Sequence, residues 1–378
     1  MDAFFNCYMW YFPLLAIFEY ILINKKRIFA AENGRLSSPI DEEKANDYRV
    51  SIFFFAIIVF LPMILIVGFR DQWFADTALY VKTYLSIPED INDFNTFLVD
   101  KKEPGFRIFT YIIKLFVHDN FHIWLLIISI IQFMCLLLTY RRYTSEIVAC
   151  AFFFFASTDM WSWSMNGMRQ FLVATIIFAL TPLLISGKPR NIIVFIALVV
   201  LLTTFHQSCL IVIPLYLAAL GKPFNKKTVS VLILCVLAVV FINQFTSIMD
   251  LALEDSNYSQ VTTQMLEDDG ANPLRVLFYS IPAILAIIFK NRFNENTPKI
   301  ISVSVNMSLI TMGVYLVAMV TSGIYIGRLP IYFSLFNYIL LPWEINNFFK
   351  NNKLITAFFI VLIYIVFFVF QMMTWDII

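Results

Sequence analysis

Basic side chains gather at the ends of several apolar segments of this 378-residue chain. The guanidinium group of arginine can donate two parallel hydrogen bonds to the oxygens of one phosphate or carboxylate. Several such groups on one side of a protein predict a site for an anionic ligand, in particular a phosphate or a pyrophosphate. The residues concerned are Arg70, Arg107, Lys114, Arg169, Arg275 and Arg328.

One of the three histidines lies in a polar stretch between two apolar runs and could move a proton. Imidazole titrates near neutral pH, so His206 is predicted to act as a general base or, when protonated, to hold a phosphate. Glu103 and Asp76 are the alternatives for this base, or else they are groups that orient a substrate hydroxyl.

The stretch after the second apolar run is densely polar. It contains Arg70, Asp71, Asp76, Thr77 and Tyr80. If it is helical, Asp76 and Tyr80 share a face, because side chains four residues apart are neighbours on a helix. A carboxylate beside an arginine stays ionised, so Asp76 could orient a substrate hydroxyl or simply pair with Arg70.

An amphipathic helix is predicted to begin after Glu103, since Pro104 suits a first helical turn. A basic stripe on an otherwise apolar helix is typical of a helix at a lipid surface, although a solvated face on an ordinary surface helix gives the same pattern. Glu103 itself either belongs to the site or complements the positive end of this helix. The residues that recur on one face are Arg107, Tyr111, Lys114 and His118.

Arg169 and Gln170 stand at the start of another apolar run. A charged group at the edge of an apolar helix is costly unless it is paired or functional. We therefore expect Arg169, with Gln170 beside it, to bind the anionic ligand. Arg328 is expected to do the same or to pair with a carboxylate of the first long outer loop.

The composition indicates a helical membrane protein. Hydrophobic residues make up 60% of the chain and charged residues 14%, against about 25% in an average soluble domain. Many apolar runs are long enough to cross a hydrocarbon layer of about 30 Å. The predicted fold is all-α and polytopic, a single integral membrane domain over residues 1–378 with about twelve transmembrane helices and one interfacial amphipathic helix. The predicted spans lie near residues 4–23, 51–69, 121–140, 146–158, 168–186, 191–205, 208–220, 228–247, 273–290, 300–320, 327–342 and 353–374.

The distribution of Lys and Arg predicts the orientation of these helices. Cytoplasmic loops carry an excess of positive charge, and most of the 27 Lys and Arg residues fall in alternate loops. Placing those loops in the cytoplasm puts both chain ends outside and leaves the arginines named above on the outer side. The long outer loops are then about 70–120 and 246–272, and the long cytoplasmic loop is about 24–50.

Several classes of function find no support in the sequence. The formal net charge of +1 gives no strongly basic surface for a nucleic acid. The five cysteines are scattered, mostly through apolar segments, and lack the spacing of a metal site. They are interpreted as small packing residues, so that no metal and no cofactor is predicted.

The polar segments, in this order, resemble the EpsG family of membrane proteins, which belongs with the Wzy-type polysaccharide polymerases. The resemblance spans about residues 50–340, and it depends on the order and predicted location of the segments. The residues that carry it are Phe69, Arg70, Asp71, Ala75, Asp76, Thr77, Tyr80, Glu103, Pro104, Gly105, Phe106, Arg169, Gln170, His206, Ser208 and Arg328.

This resemblance implies an enzyme that polymerises lipid-linked oligosaccharide repeat units outside the bacterial cytoplasmic membrane, for an O-antigen, a capsule or an exopolysaccharide. Its fold would be similar to that of multi-spanning glycosyltransferases that use lipid-linked sugars, including O-antigen ligases. The glycan donor and acceptor would both be carried on undecaprenyl pyrophosphate among the membrane lipids. A chain-length regulator and other polysaccharide-assembly proteins are the expected protein partners.

In such an enzyme Arg169 and Arg328 would bind pyrophosphate, with Arg70 as a weaker candidate, and His206 would be the first choice for the base. A ligase that transfers finished glycan to another acceptor fits the same pattern. A flippase or transporter of lipid-linked sugars and a membrane acyltransferase acting on glycans are the alternatives. The other residues expected to contact pyrophosphate or sugar are Asp71, Thr77, Tyr80, Arg107 and Gln170.

Overall fold

A computed structural model provides the structure of the protein. It describes residues 11–22, 39–99, 103–242, 244, 247, 248, 251 and 269–374. Within the range 39–99, side chains are described from Val50 onward. The described residues form α-helices and short 3-10 helices without any β-strand, which confirms the predicted all-α class.

The chain folds as two compact units. Unit 1 comprises residues 1–179, 204–206 and 357–378, and unit 2 comprises residues 180–203 and 207–356. The first helices of unit 1, in chain order, are α1 (Tyr11–Leu22), α2 (Pro39–Gly68), α3 (Thr77–Leu85), α4 (Ile91–Leu98), α5 (Pro104–Val117), α6 (Phe121–Tyr143), α7 (Ile147–Ala156), α8 (Asp159–Trp163) and α9 (Met168–Ala179).

The remaining helices, in chain order, are α10 (Thr181–Ile185), α11 (Pro189–Leu202), α12 (Val212–Ala219), α13 (Lys226–Val240), α14 (Pro273–Ile288), α15 (Lys299–Met319), α16 (Asn337–Phe348) and α17 (Lys353–Thr374). Unit 2 is built around the long buried helix α15, which packs against its neighbours α13, α14 and α16. Short 3-10 helices precede α12 and α16. The last helix, α17, begins in unit 2 and belongs to unit 1 from residue 357.

Each predicted apolar run contains helix, but the predicted count of twelve spans is not confirmed. A helix rises about 1.5 Å per residue, so that about 20 residues are needed to cross a hydrocarbon layer. Other described apolar helices have only 10–17 residues. Within the described ranges, the segments long and apolar enough to cross are Val50–Gly68, Phe121–Tyr143, Met168–Ile185, Lys299–Met319 and Lys353–Thr374.

The stretch predicted as the first outer loop contains α3, α4 and α5. Asp90 caps the N-terminus of α4, because its carboxylate accepts hydrogen bonds from the N–H groups of Asn92 and Asp93 at 2.8 and 3.3 Å. Tyr111 of α5 stacks on Phe94 of α4 with ring centroids 3.9 Å apart. These contacts make the stretch a packed helical layer of unit 1.

The polar side of α5 faces this layer. Lys114 is buried and donates hydrogen bonds to the carbonyl oxygens of Tyr84, Leu85 and Ile87, at 3.3, 3.1 and 2.8 Å. It also forms an ion pair of 3.0 Å with Asp119. A helix leaves its last carbonyls without partners, and Lys114 satisfies those at the end of α3. The predicted basic stripe therefore has a structural role at this position.

The opposite side of α5 is apolar and exposed. The helix predicted after Glu103 is present over Pro104–Val117. Its location at a lipid surface stays a prediction, because the structure contains no membrane. The exposed apolar residues of this face are Ile108, Ile112, Leu115 and Phe116.

Parts of several predicted segments lie outside the described residues. These parts are residues 4–10 and 23 of the first span, residues 24–38 of the long cytoplasmic loop, residues 100–102 of the first outer loop, residues 243, 245 and 246 of the span 228–247, and most of the outer loop 246–272. The remainder of that cytoplasmic loop belongs to α2, which begins at Pro39.

Candidate functional site

Three of the predicted site residues meet at the start of α5 in unit 1. The Glu103 carboxylate forms an ion pair through Oε2 with Nη1 of Arg169. Its other oxygen, Oε1, lies 2.8 Å from Nδ1 of His206. The side chains of Glu103, Arg169 and His206 are 11%, 34% and 20% exposed, so the carboxylate is the most deeply buried of the three. We call this group the Glu103 cluster.

The cluster forms where two helices begin. Glu103 immediately precedes α5, and Arg169 is the second residue of α9. The backbone of Glu103 is left-handed, with φ 58° and ψ 59°, which is uncommon for a residue other than glycine. Helix N-termini carry partial positive charge, so they stabilise the Glu103 carboxylate and favour a bound anion nearby.

The backbone before His206 is held against the first turn of α5. The N–H group of Gly105 donates a hydrogen bond of 2.9 Å to the carbonyl oxygen of Thr204. The Phe205 ring packs on Phe106, with centroids 6.4 Å apart. This close approach requires glycine at position 105, and it brings His206 to the cluster.

A cavity of about 150 Å³ lies beside the cluster, within unit 1. Its wall combines two guanidinium groups with aromatic rings. Ligand sites in proteins commonly have this composition, with mostly apolar walls and a few polar groups that fix orientation. The charged and aromatic lining residues are Tyr80, Tyr84, Phe106, Arg107, Trp124 and Arg169.

Positive charge exceeds negative charge at this wall. Burial and the neighbouring charge of Arg169 lower the pKa of Arg107, whereas the Glu103 carboxylate acts in the opposite direction. The Arg169 guanidinium also lies over the Phe106 ring, 5.9 Å from its centroid. Since both arginines line the cavity beside one carboxylate, an anion that enters it would stabilise both charges.

Arg70 has a different environment, because it is almost completely buried. Its Nε donates to Thr77 Oγ1 at 2.9 Å, its Nη1 donates to the Val67 carbonyl at 2.6 Å, and its Nη2 lies 3.3 Å from the sulfur of Met168. Burial lowers the pKa of Arg70 to about 10. These contacts join α2, α3 and α9, so Arg70 and Thr77 support the framework around the cavity.

The carboxylates that follow Arg70 are exposed. Asp71 accepts a hydrogen bond of 2.9 Å from the N–H group of Trp73. The carbonyl of Asp76 accepts a 3.2 Å bond from the Tyr80 N–H, which confirms that these two residues have helical spacing. The Tyr80 hydroxyl donates to the carbonyl of Asn166 at 3.1 Å. Of these predicted residues, Tyr80 lines the cavity.

The remaining predicted residues are divided between the units. Gln170 is buried on α9 in unit 1, next to Arg169 in the chain. Arg328 is half-buried in a 3-10 helix of unit 2, Ile326–Tyr332. In the same unit, the hydroxyl groups of Ser208 and Tyr332 lie 3.0 Å apart.

Several residues that line the cavity are not predicted from the sequence, among them Tyr84, Thr110 and Trp124. Tyr84 lies one helical turn after Tyr80, and Thr110 follows Arg107 by three residues. Helical spacing from the predicted residues is therefore the signal that could identify Tyr84 and Thr110. Trp124 gave no comparable signal, because an aromatic residue near the end of an apolar run is typical of any membrane helix. The described residues contain no group of three or more His, Cys, Asp or Glu side chains placed to hold a metal ion.

The sequence pattern of the EpsG family matches residues 53–376 of the chain. This range covers most of the protein and includes the whole Glu103 cluster and the cavity beside it. No curated protein and no solved structure matches the chain. A match over this length establishes membership, and the chain belongs to the EpsG family, a family of Wzy-type polysaccharide polymerase-like proteins.

Proposed function

We propose that the protein joins oligosaccharide repeat units, carried on undecaprenyl pyrophosphate, into a surface polysaccharide on the outer side of the bacterial cytoplasmic membrane. Membership of the EpsG family indicates the general role of a polysaccharide polymerase-like protein. The observation that carries the more specific proposal is the Glu103 cluster beside a cavity lined by Arg107 and Arg169. In this proposal the Glu103 cluster supplies a proton acceptor, and the arginines in the wall of the adjacent cavity bind an anion.

The proposed reaction is a glycosyl transfer between two lipid-linked glycans. A hydroxyl oxygen of the acceptor attacks the anomeric carbon of the donor sugar, and a new carbon–oxygen bond forms. The bond between that carbon and the pyrophosphate oxygen breaks, and lipid pyrophosphate leaves with the electron pair. The proton of the acceptor hydroxyl passes to a base of the protein. Guanidinium groups can stabilise the charge that develops on the leaving pyrophosphate.

Each member of the Glu103 cluster has a role in this proposal. Arg169, with Arg107 beside it, binds the pyrophosphate in the cavity. The assignment of Arg328, in unit 2, to pyrophosphate stays a prediction from the sequence. His206 accepts the proton through Nε2, because its Nδ1 lies 2.8 Å from Oε1 of Glu103. The Glu103 carboxylate orients the imidazole and stabilises its protonated form, as the carboxylate does in other histidine-based sites.

The exposed side of α5 gives the lipid carrier a route to the cavity. Ile108, Ile112 and Leu115 follow one face of this helix and are exposed. We expect this face to lie on membrane lipid, because an apolar helical face is stabilised at the lipid surface. The cavity is lined by Phe106 and Arg107 of the same helix, so a lipid tail beside α5 would place its pyrophosphate close to the arginines.

A glycine substitution tests the geometry of the site. A methyl group at position 105 would overlap the Thr204 hydroxyl and lie 2.9 Å from the Phe205 ring. We expect Gly105→Ala to displace His206 and to lower polymer synthesis by about 100-fold, since misplacement by about 1 Å can have this effect. Gly167→Ala is the matched control, because its methyl group would meet no atom closer than 3.7 Å. Equal polymer synthesis by both variants would contradict the proposed geometry.

The function itself is tested by the size distribution of surface glycan in cells that lack the protein. We expect long chains to disappear while single repeat units remain on the lipid carrier or at the surface. Expression of the wild-type protein from a plasmid should restore the long chains. The matched control is a plasmid that carries the Arg169→Ala variant.

Other results would identify a different function. Lipid-linked repeat units trapped on the cytoplasmic leaflet would indicate a flippase. An unchanged ladder with an altered modification would indicate an acyltransferase. Full-length glycan that stays on the lipid carrier would indicate a ligase.

A further inference from the structure

Helix α15 carries a line of hydroxyl side chains through unit 2. Ser304, Ser308 and Thr311 are spaced by four and three residues, so they share one face of the helix. All three are buried, and their hydroxyl oxygens have no hydrogen-bond partner among the residues that the structure describes. Buried hydroxyl groups are normally hydrogen-bonded, so this line of oxygens is unusual.

A carboxyl group is buried in the same unit. Glu344 of α16 has 0% of its surface exposed. Neither of its carboxyl oxygens has a hydrogen-bond partner within the described part of the chain. Burial of an ionised carboxylate without a compensating charge is strongly unfavourable, so this group must hold either a proton or a cation.

Contacts at the two ends of α16 show how this helix is aligned with α15. Tyr279 of α14 stacks on Tyr315 of α15 with centroids 5.1 Å apart, and its carbonyl accepts a hydrogen bond of 3.4 Å from Nδ2 of Asn337. At the other end of α16, Phe348 packs on Phe293, which shortly precedes α15 in the chain, with centroids 5.4 Å apart. The two helices therefore run antiparallel, with Tyr315 and Asn337 at the same level.

The helical repeat then places Glu344 opposite the hydroxyl line. Glu344 follows Asn337 by seven residues, and Ser308 precedes Tyr315 by seven. Seven residues are about two turns, which gives a rise of about 10 Å and returns the side chain to within about 20° of the same face. The helical repeat thus predicts that Glu344 and Ser308 lie at one level, each on the face of its helix that carries the contact with Tyr279.

The other face of α15 has separate contacts. Asn306 donates hydrogen bonds to the carbonyls of Ala219 and Lys222, at 2.9 and 3.0 Å. Gly313 lies against Cys235 of α13, where a methyl group would come within 3.1 Å of the sulfur. The hydroxyl line therefore faces away from α13 and toward the side of α15 that carries Tyr315.

We propose that Glu344, Ser304, Ser308 and Thr311 line a buried site for a monovalent cation, with Na⁺ as the ion. Carboxylate and hydroxyl oxygens are the ligands that hard cations prefer. One carboxylate neutralises one positive charge, whereas a divalent ion would bring an uncompensated charge into the interior. Binding of Na⁺ releases the proton that the carboxyl group holds in its absence, so that the two ions compete for the site.

The charged neighbours of Glu344 are consistent with this competition. On α14 the ionisable side chains are Arg275 and Tyr279, and on α15 they are Lys299 and Tyr315. Arg275 lies over the ring of Tyr315, 5.9 Å from its centroid, and thus about two turns from the level of Glu344. Lys299 is exposed at the first residue of α15. Neither helix carries a carboxylate or a histidine that would share the titration.

Thermal unfolding of the purified full-length protein in detergent tests the site. We expect Tm to rise with NaCl but not with KCl at equal ionic strength, and to rise more at pH 9 than at pH 6. Glu344→Gln should abolish the difference in Tm between NaCl and KCl at both pH values, because the neutral amide binds no cation in place of the proton. Glu295→Gln is the matched control, since Glu295 is an exposed carboxylate of the same unit, paired with Lys222 at 2.9 Å. It should retain the Na⁺ response of the wild type.

A second variant keeps the test decisive if Glu344→Gln does not fold. Ser308→Ala should require about tenfold more Na⁺ for the same rise in Tm, because it removes one ligand oxygen. Equal Tm in NaCl and KCl at every pH would overturn the proposal, as would an unchanged Na⁺ response in both variants. A Tm that depends on pH alone would assign a proton, and no metal cation, to Glu344. None of these measurements involves polymer synthesis, so they stand apart from the proposed function.

Discussion

Arg169→Ala should abolish long polymer while the protein still reaches the membrane in normal amount. Arg169 binds Glu103 through Nη1, is 34% exposed and lines the cavity, so the alanine variant loses the donors proposed for pyrophosphate. Removal of one group that stabilises developing charge lowers catalytic rates by about 100- to 1,000-fold. Arg169→Lys should restore little activity, because lysine lacks the planar pair of donors. The measurement is the glycan size ladder, normalised to the amount of protein in the membrane.

Two further variants show whether this effect is specific. Arg190→Ala removes an exposed arginine at the start of α11 in unit 2 and should leave the ladder unchanged. Arg328→Ala removes the other arginine proposed for pyrophosphate and should also abolish long polymer. Chains of normal length from both Arg169→Ala and Arg328→Ala would show that the pyrophosphate assignment is wrong.

The Glu103→Gln variant should also lose polymer synthesis, by about 100-fold or more. The amide has nearly the same shape as the carboxylate but no charge, so it cannot balance Arg169 or stabilise a protonated His206. The measurement is the rate of polymer formation with lipid-linked repeat units in membranes or detergent. The pH profile should change together with the rate, because the acceptor of the proton no longer has its charged partner.

A double variant separates the two candidates for the base. If His206 accepts the proton and Glu103 orients it, the Glu103→Gln/His206→Ala variant should be no slower than His206→Ala alone. If Glu103 accepts the proton itself, His206→Ala should retain much more activity than Glu103→Gln. Asp76→Asn tests the third candidate, whose side chain is exposed.

A second Glu–His pair in unit 1 provides the matched control. Glu89 lies 3.2 Å from His118, but both side chains are far more exposed than those of the Glu103 cluster. Glu89→Gln should leave polymer synthesis unchanged. An equal loss in Glu89→Gln and Glu103→Gln would indicate a general effect on folding and would remove the support for the cluster.

The candidate residues could be found from the sequence because charge is conspicuous in a chain of this composition. Glu103, Arg169 and His206 each border an apolar run, and this position predicts a functional role for each of them. Their contact could not be predicted, since Glu103 and Arg169 are 66 residues apart and belong to different helices. The close approach of the Gly105 backbone to Thr204 could not be predicted either, because a single glycine adds no periodic pattern to a sequence.

Residues of the same type have opposite environments in the folded chain. Arg70 and Arg169 both follow or begin an apolar helix, yet Arg70 is 1% exposed and bound to Thr77, whereas Arg169 lines the cavity. Lys114 was predicted in a basic stripe at a lipid surface, but it satisfies the last carbonyls of α3. These outcomes depend on which helices pack together, which local spacing does not encode.

Hydropathy and the order of the polar segments are properties of the chain alone, so they suffice to predict the helical membrane class, the approximate positions of the apolar helices and the family. The folded structure is needed to show which helices are long enough to span, which charges are buried, and which candidates meet. Burial and pairing depend on packing between distant segments, and this packing joins Glu103 to Arg169 and His206 and encloses Glu344 within unit 2.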